Sequence, residues 1–162
     1  METPELKIVL SGSLHEPNLH QFIEIYAQFE RLGAQILSPR GKTPIDPKAE
    51  VVRFFEEPQN WSDERVQEYH LEAIEFCTIH YTVITNGYVG PQTRKEIDRA
   101  FRLSKPRFCS GQPSDPLLRS ITGWPATPEE VAKVPWQIGL DGKFTDAREL
   151  QRPTSRKPPI TH

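Results

Sequence analysis

Two short turns rich in small residues are the places in this sequence where ligand chemistry is expected. The first contains Asn86-Gly87 and Gly90, and it stands between a β-branched, aromatic run and a helical pattern. Asn and Gly tolerate positive φ, so this pair predicts a tight turn at the end of a strand. Open α/β sheets bind ligands at the carboxyl ends of their strands. This loop is therefore the leading candidate site.

The second turn is Ser11-Gly12-Ser13, which directly follows a compact apolar run at residues 6–10. Small residues let backbone N–H groups approach a ligand, and the positive end of a following helix favours an anion or a hydroxyl-rich sugar. A plain turn between a strand and a helix gives the same sequence pattern. The sequence leaves both interpretations open.

Several polar side chains surround the first turn, and each has a simpler structural explanation beside a functional one. Tyr88 and Thr93 are candidates for ligand contact or for ordinary turn and cap chemistry. His70 lies on the apolar face of a predicted helix, where a packed, hydrogen-bonded histidine is the simpler alternative to a ligand contact. Glu96 lies in a helical pattern, where most glutamates are solvated. No second His or Cys stands at metal spacing, so no metal site is predicted.

The elements that would position these residues alternate between strand and helix. Residues 79–85, 91–105 and 106–109 predict a strand, a helix and a strand, and residues 6–10, 18–32 and 34–37 predict the same order. Ser62 is a candidate N-cap for a further helix that ends near Phe76. Repeated βαβ units of this kind predict an α/β fold with a parallel sheet.

The connection at residues 38–62 is long for a compact domain and contains four prolines. Such loops often act as lids. Its aromatic residues Phe54, Phe55 and Trp61 would either line a ligand site or anchor the loop to the core.

The last third of the chain predicts smaller elements. Short helices are expected at residues 113–121 and 127–134, the second with a capping box at Thr127 and Glu130. Residues 136–140 predict a short edge element, with a turn at Asp141-Gly142. The proline-rich, basic segment 151–162 is expected to be a disordered tail after a single domain at residues 1–150.

Composition limits the classes of partner. The chain has 162 residues, 36% of them hydrophobic and 26% charged, which suits one domain with a real core. A net charge of -2 argues against binding to duplex nucleic acid through its phosphates. No apolar run is long enough for a membrane span, and Cys77 and Cys109 share no CxxC spacing. We therefore expect a reduced, cytoplasmic protein with no membrane contact that binds a small molecule.

Four phrases in this order resemble the nucleoside 2-deoxyribosyltransferase family and its related deoxynucleotide N-hydrolases: VLSGS (9–13), ILSPR (36–40), HLEAI (70–74) and NGYVGPQTRKEIDRA (86–100). The resemblance covers roughly residues 6–122. It implies a three-layer, flavodoxin-like (Rossmann-like) fold with a central parallel sheet of about five strands. It also implies a homodimer or larger homo-oligomer, and no redox or metal cofactor.

The resemblance further implies an activity, which is the transfer of 2-deoxyribose from a nucleoside or its monophosphate to another base or to water. Glu96 stands where that family has its nucleophile, and Thr78 stands where the family has an aspartate just before the central strand. Val9 and Leu10 replace an aromatic residue that is frequent in the family. The substrate contacts implied are Ser11, Gly12, Ser13, His70, Thr78, Asn86, Gly87, Tyr88, Gly90 and Thr93.

Other functions fit the same sequence. A module that binds or senses a nucleotide without turnover is the main alternative, because Thr78 lacks the carboxylate of the family aspartate. An assembly protein whose surface is its function is a third interpretation. If Glu96 is not the nucleophile, Asp98 and Asp46 are the next candidates.

Overall fold

The computed structural model describes residues 5–134, 136–138 and 144–146. The main strands are β1 (Lys7–Gly12), β2 (Gln35–Ser38), β3 (Ile79–Val83), β4 (Arg107–Cys109) and β5 (Trp124–Pro125). They form one parallel sheet in the order β2-β1-β3-β4-β5. The expected α/β fold with a five-stranded parallel sheet is confirmed.

Five helices connect and cover the strands: α1 (Asn18–Arg31), α2 (Asp63–Phe76), α3 (Pro91–Arg102), α4 (Pro116–Thr122) and α5 (Pro128–Ala132). Their ends follow local capping chemistry. The Ser62 side chain accepts a hydrogen bond from the Arg65 N–H at 3.1 Å, and Thr127 and Glu130 form the predicted capping box. Gly33 has a φ of 83°, which lets the chain leave α1 at little steric cost.

The alternation of side chains along β1 assigns the helices to the two faces of the sheet. Ile8 and Leu10 lie in a core with Phe22 and Phe29 of α1, whereas Val9 faces a smaller cluster from α2 and α3. α1 packs with α5, and α2 packs with α3. The result is a three-layer arrangement with the sheet in the middle.

Two polar residues, Ser11 near the carboxyl end of β1 and His80 near the start of β3, lie on the α2/α3 face. Ser11 has the same parity as Val9, and His80 pairs with Val9 across the two strands. Both side chains therefore point towards α2 and α3. This buried polar patch underlies the site described below.

The C-terminal strands β6 (Trp136–Ile138) and β7 (Phe144–Asp146) pair with each other in an antiparallel sheet of their own. A short strand is thus present at 136–138 within the short edge element predicted at residues 136–140, and it pairs with β7 instead of with the main sheet. The predicted turn at residues 141–142 and the predicted tail at residues 151–162 lie outside the described residues. Of the helices described, none combines the length and the apolar character needed to cross a membrane.

Candidate active site

A cavity of about 450 Å³ opens at the carboxyl ends of β1 and β3. Its walls come from the loop after β1, from one side of α2, from the start of α3 and from the connection between β2 and α2. Most lining residues lie in the segments 12–15, 50–57, 66–70 and 88–96, and Leu10, Phe22, Ser38 and Pro39 complete the lining. This is the position at which parallel α/β sheets bind ligands, and the volume lies within the range of small-molecule sites.

Glu96 lies on α3 and borders this cavity, although only 7% of its surface is exposed. Its Oε1 atom is 3.3 Å from Nε2 of His70. Burial by itself would raise the pKa of the Glu96 carboxyl, but the His70 charge and hydrogen bonds from His70 and Ser11 hold the pKa below its ordinary value. Glu96 is thus a buried carboxylate that keeps its negative charge, not a solvated helix residue.

His70 on α2 orients Glu96 and is itself held from two sides. Nδ1 of His70 is 2.6 Å from the Ser38 hydroxyl, and Nε2 is 2.9 Å from the Ser11 hydroxyl. The predicted packed, hydrogen-bonded histidine is therefore confirmed, and its ring also borders the cavity. The hydrogen bond at Nδ1 fixes the ring so that Nε2 points to Glu96.

His80 on β3 lies beneath this group and is fully buried. Its Nε2 atom is 2.8 Å from the Ser11 hydroxyl, and burial lowers the pKa of His80 to about 3, so the ring is neutral. Nδ1 of His80 has no hydrogen-bond partner among the described residues. With the proton of His80 on Nε2, the group of His80, Ser11 and Glu96 can form one more hydrogen bond than with the proton on Nδ1. In that tautomer His80 donates to Ser11, whose hydroxyl is then free to donate to Glu96.

The turn after β1 approaches β3 closely. Gly12 has a φ of 150°, and a Cβ atom there would lie 2.7 Å from the Val83 carbonyl oxygen. Gly12 and Ser13 line the cavity, whereas Ser11 lies behind the cavity wall and supports His70. The small residues of this turn thus serve the close packing of two strands and also form part of the cavity wall.

The turn after β3 divides into a structural part and a part that lines the cavity. Asn86 and Gly87 have φ values of 57° and 75°, as their predicted tolerance of positive φ requires. A Cβ atom on Gly87 would overlap the Ser114 hydroxyl, and neither turn residue borders the cavity. The cavity-lining residues of this segment are Tyr88, Gly90 and Thr93, and Thr93 is buried there.

Thr78 does not lie at the site, and its interpretation as a substrate contact is corrected. It precedes β3 at the amino edge of the sheet, whereas the cavity is at the carboxyl edge. Its hydroxyl accepts a hydrogen bond from the Lys7 N–H and donates one to the Glu5 carbonyl. Thr78 therefore joins two neighbouring strand starts.

The two alternative nucleophiles are also remote from the cavity lining. Asp98 is half exposed and pairs with Arg102 one turn along α3. Asp46 is exposed and accepts a hydrogen bond from the Lys48 N–H. Glu96 is the carboxylate of the three that reaches the cavity.

The long connection between β2 and α2 forms one wall of the cavity. Phe54 is buried in the main core and also borders the cavity, and Trp61 packs on Tyr69 with ring centres 5.2 Å apart. Both residues anchor the loop. Phe55 is 61% exposed, and it neither lines the cavity nor anchors the loop to the core.

Sequence reasoning missed Ser38, Glu57 and His80, although each contributes to this region. The alternation of side chains along β3 could have identified His80. Because successive side chains of a strand point to opposite faces of the sheet, His80 points away from the face that holds Ile79 and Tyr81. No local pattern distinguished Ser38, the last residue of β2, or Glu57, which lies in the irregular connection that follows. Within the described ranges, no group of three or more His, Cys, Asp or Glu side chains has the arrangement of a metal site.

Comparisons with known proteins support the fold. No family model and no curated protein sequence matches this chain. A solved structure of a 2-deoxyribosyltransferase from the psychrotolerant bacterium Bacillus psychrosaccharolyticus is similar, with a TM-score of 0.54 and 21% sequence identity. The similarity covers 78% of this chain and 90% of that one. The chain therefore shares the fold of a 2-deoxyribosyltransferase.

Proposed function

We propose that this protein breaks the N-glycosidic bond of 2′-deoxyribonucleosides or their monophosphates, with Glu96 as the nucleophile. The observation that carries the proposal is the buried, ionised Glu96 carboxylate on a cavity at the carboxyl edge of the sheet. The fold shared with a 2-deoxyribosyltransferase supports it.

The chemistry uses a carboxylate in two displacements. When the bond from C1′ to the base breaks, positive charge develops at C1′, and a nearby carboxylate stabilises that charge and then bonds to C1′. A second base or a water molecule next displaces Glu96 from the same face that the first base left. Two inversions give net retention of configuration at C1′.

His70 and Ser11 serve this reaction as positioning residues. They hold the carboxylate of Glu96 in one orientation, and their hydrogen bonds keep it in the ionised form that a nucleophile requires. The same hydrogen bonds moderate the nucleophilicity of the oxygen that accepts them. The second carboxylate oxygen of Glu96 is therefore the better candidate for attack on C1′.

The remaining walls suit a flat, partly apolar ligand. Leu10, Phe22, Val52 and Phe54 provide apolar surface in the cavity wall, and Val52 and Phe54 belong to the connection between β2 and α2. A nucleobase placed against this surface would leave its sugar beside Glu96. Capture of the sugar by a second base or by water then decides between a transferase and a hydrolase.

The direct test is incubation of the protein with each 2′-deoxynucleoside and each monophosphate, with and without a second free base. Base release or exchange is followed by chromatography. We expect turnover with at least one substrate, and we expect Glu96→Gln to lower it by about a thousandfold or more, which corresponds to about 4 kcal/mol of barrier. Gln keeps the volume and hydrogen bonding of Glu but is not a nucleophile of comparable strength.

Asp98→Asn is the matched control, because Asp98 lies on the same helix and pairs with Arg102 away from the cavity. It should retain wild-type turnover. Absence of turnover with every substrate at high protein concentration, or full activity of Glu96→Gln, contradicts the proposal.

The alternative function is a binding module without turnover. The contact between His70 and Oε1 of Glu96 favours it, because a nucleophile paired with a histidine is partly neutralised. This alternative predicts that a nucleoside or nucleotide raises the melting temperature of the wild type according to its affinity. It also predicts that no product forms and that Glu96→Gln still binds.

A further inference from the structure

Glu57 is a second buried carboxyl group on the wall of the same cavity. It belongs to the connection between β2 and α2, and 7% of its surface is exposed. It thus reaches the cavity from a different segment of the chain than Glu96, which lies on α3. Its position on the wall formed by this connection places it beside the apolar surface suited to a base.

Only one oxygen of Glu57 is used by the protein. Oε1 accepts a hydrogen bond of 2.7 Å from the Phe54 N–H, and the Arg53 guanidinium is 3.9 Å from the same oxygen. Arg53 instead directs its hydrogen bonds to Asp63 and to the Pro58 carbonyl. Within the described part of the chain, no hydrogen bond engages the second oxygen, Oε2, of Glu57. That oxygen is available to a bound molecule.

The two carboxyl groups of the cavity have pKa values that are shifted in opposite directions. Burial raises the pKa of Glu57 above its ordinary value, against the lowering effects of the Phe54 N–H, Arg53 and His70. The pKa of Glu96 is lowered, although that group is also buried. Two carboxyl groups with oppositely shifted pKa values are typical of sites where one acts as an acid and the other as an anion.

We propose that Glu57 is the general acid that protonates the departing nucleobase, an assignment that rests on the function proposed above. Its burial, its place on the cavity wall and its unused Oε2 together carry the inference. The ligand class that follows is a 2′-deoxynucleoside whose base needs a proton to leave and has a ring nitrogen or carbonyl oxygen that can accept one.

The first half of the reaction then balances as follows. The bond between C1′ and the base nitrogen breaks, and its electron pair goes to the base. The proton of Glu57 passes to the base, which leaves as a neutral molecule, while an oxygen of Glu96 donates an electron pair to C1′. In the second half, the incoming water or base loses its proton to the Glu57 carboxylate and bonds to C1′, and the electron pair of the C1′–O bond returns to Glu96.

The test compares two substrates that differ in their need for an acid. 2′-Deoxyguanosine needs a proton on its leaving base, whereas 7-methyl-2′-deoxyguanosine already carries a cationic base that leaves without one. We expect Glu57→Gln to lower the rate of base release in a single turnover about a hundredfold or more on 2′-deoxyguanosine. On the methylated substrate this rate should change about threefold or less, since the acid contributes typically 10²–10⁴-fold only where a proton is transferred to the leaving base.

Glu56→Gln is the matched control. Glu56 precedes Glu57, accepts hydrogen bonds from the Lys42 and Thr43 N–H groups, and does not line the cavity. Its substitution should leave kcat on both substrates unchanged. Glu57→Gln keeps a side-chain oxygen that can accept the hydrogen bond from the Phe54 N–H, so the loop should remain in place. If Glu57→Gln nevertheless destabilises the fold, Glu57→Asp is the second variant. It retains a titratable proton and should keep part of the activity.

The pH dependence of the rate distinguishes a general acid from a residue that only holds the loop in place. A purely structural role of Glu57 would not affect that pH dependence. With 2′-deoxyguanosine, the single-turnover rate of base release by the wild type should fall on the alkaline side as Glu57 loses its proton, and Glu57→Gln should lack this limb. The charged groups that act on Glu57 are Arg53, His70 and Glu56, and all three remain in the variant.

The outcomes separate the two proposals. Equal loss on both substrates, no loss on either, or an alkaline limb that persists in Glu57→Gln overturns the role of Glu57. If the wild type releases base from no substrate, the proposed function itself fails, and the role of Glu57 fails with it.

Discussion

At the scale of single residues, the site combines an anion with a neutral histidine in a small buried volume. His80 is fully enclosed and stays uncharged because the cost of burying its cation outweighs the attraction of the Glu96 carboxylate. Ser11 connects it to Glu96 through its hydroxyl. Because of this connection, a change in the protonation of His80 would change the hydrogen bonds of Ser11 and Glu96.

The first prediction concerns acid stability. The pKa of His80 is lowered from 6.5 to about 3 in the folded state, so the unfolded state binds more protons between these values. Stability should therefore fall as the pH drops from 6.5 towards 3, by up to about 1.4 kcal/mol per pH unit from this group. His80→Gln, which keeps a polar atom near the position of Nε2, should remove this slope in urea unfolding measured from pH 4 to 7.

His20→Gln is the comparison, because His20 is largely exposed on α1 and its Nε2 atom is 4.0 Å from the Glu24 carboxylate. It should leave the pH dependence of the free energy of unfolding unchanged. An acid slope that is the same in the wild type and in His80→Gln would mean that other groups cause it.

At the scale of the elements, the turn after β1 must allow β1 and β3 to run side by side up to the cavity. Gly12 pairs with Val83 in the sheet, and its backbone takes a φ that L-residues rarely adopt. A side chain there would meet both the strain of that φ and the Val83 carbonyl.

We therefore predict that Gly12→Ala destabilises the protein by about 2–4 kcal/mol, the sum of backbone strain and a clash that moves β1 away from β3. Gly33→Ala is the matched control, since Gly33 also has a positive φ but open space around its Cβ position. It should cost only about 1–2 kcal/mol. Urea unfolding of the two variants measures the difference, and equal costs would show that the approach to Val83 is unimportant.

At the scale of the whole molecule, the two edges of the sheet differ in character. The carboxyl edge holds the cavity, whereas the amino edge holds Thr78 and the C-terminal ends of α2 and α3. Phe76 and Phe101 lie at these helix ends and are 71% and 39% exposed. Large apolar side chains at the surface favour contacts with another protein surface.

The expected homo-oligomer can be tested at this edge. Sedimentation should give a mass of at least twice the 18.6 kDa of one chain, and Phe76→Asp should lower it, because a buried charge opposes association. Since Phe76 lies at the edge opposite the cavity, this variant should keep a folded protomer. A wild-type protein that sediments as a single chain contradicts the expectation.

Local sequence patterns were enough to predict the elements and their order. The apolar run before Ser11, the helical pattern that ends at Gly33 and the cap at Ser62 each depend on residues close together in the chain, and local chemistry decides them. The alternation of strands and helices then required a parallel sheet, and right-handed crossovers limited its topology. Glu96 was singled out through the family resemblance, and the part of that resemblance that contains it is the continuous stretch 86–100.

The side chains that meet at the site could not be predicted in this way, because their contacts depend on the packing of distant elements. Ser11, Ser38, His70 and Glu96 come from four different elements, and the register that brings them together is set by pairing between distant strands. The same register places Thr78 at the opposite edge of the sheet, because a strand separates its two ends by its own length. Glu57 lies on an irregular connection whose path follows from how Phe54 packs in the core. Contacts of this kind depend on the summed geometry of many elements, which no local pattern in the sequence encodes.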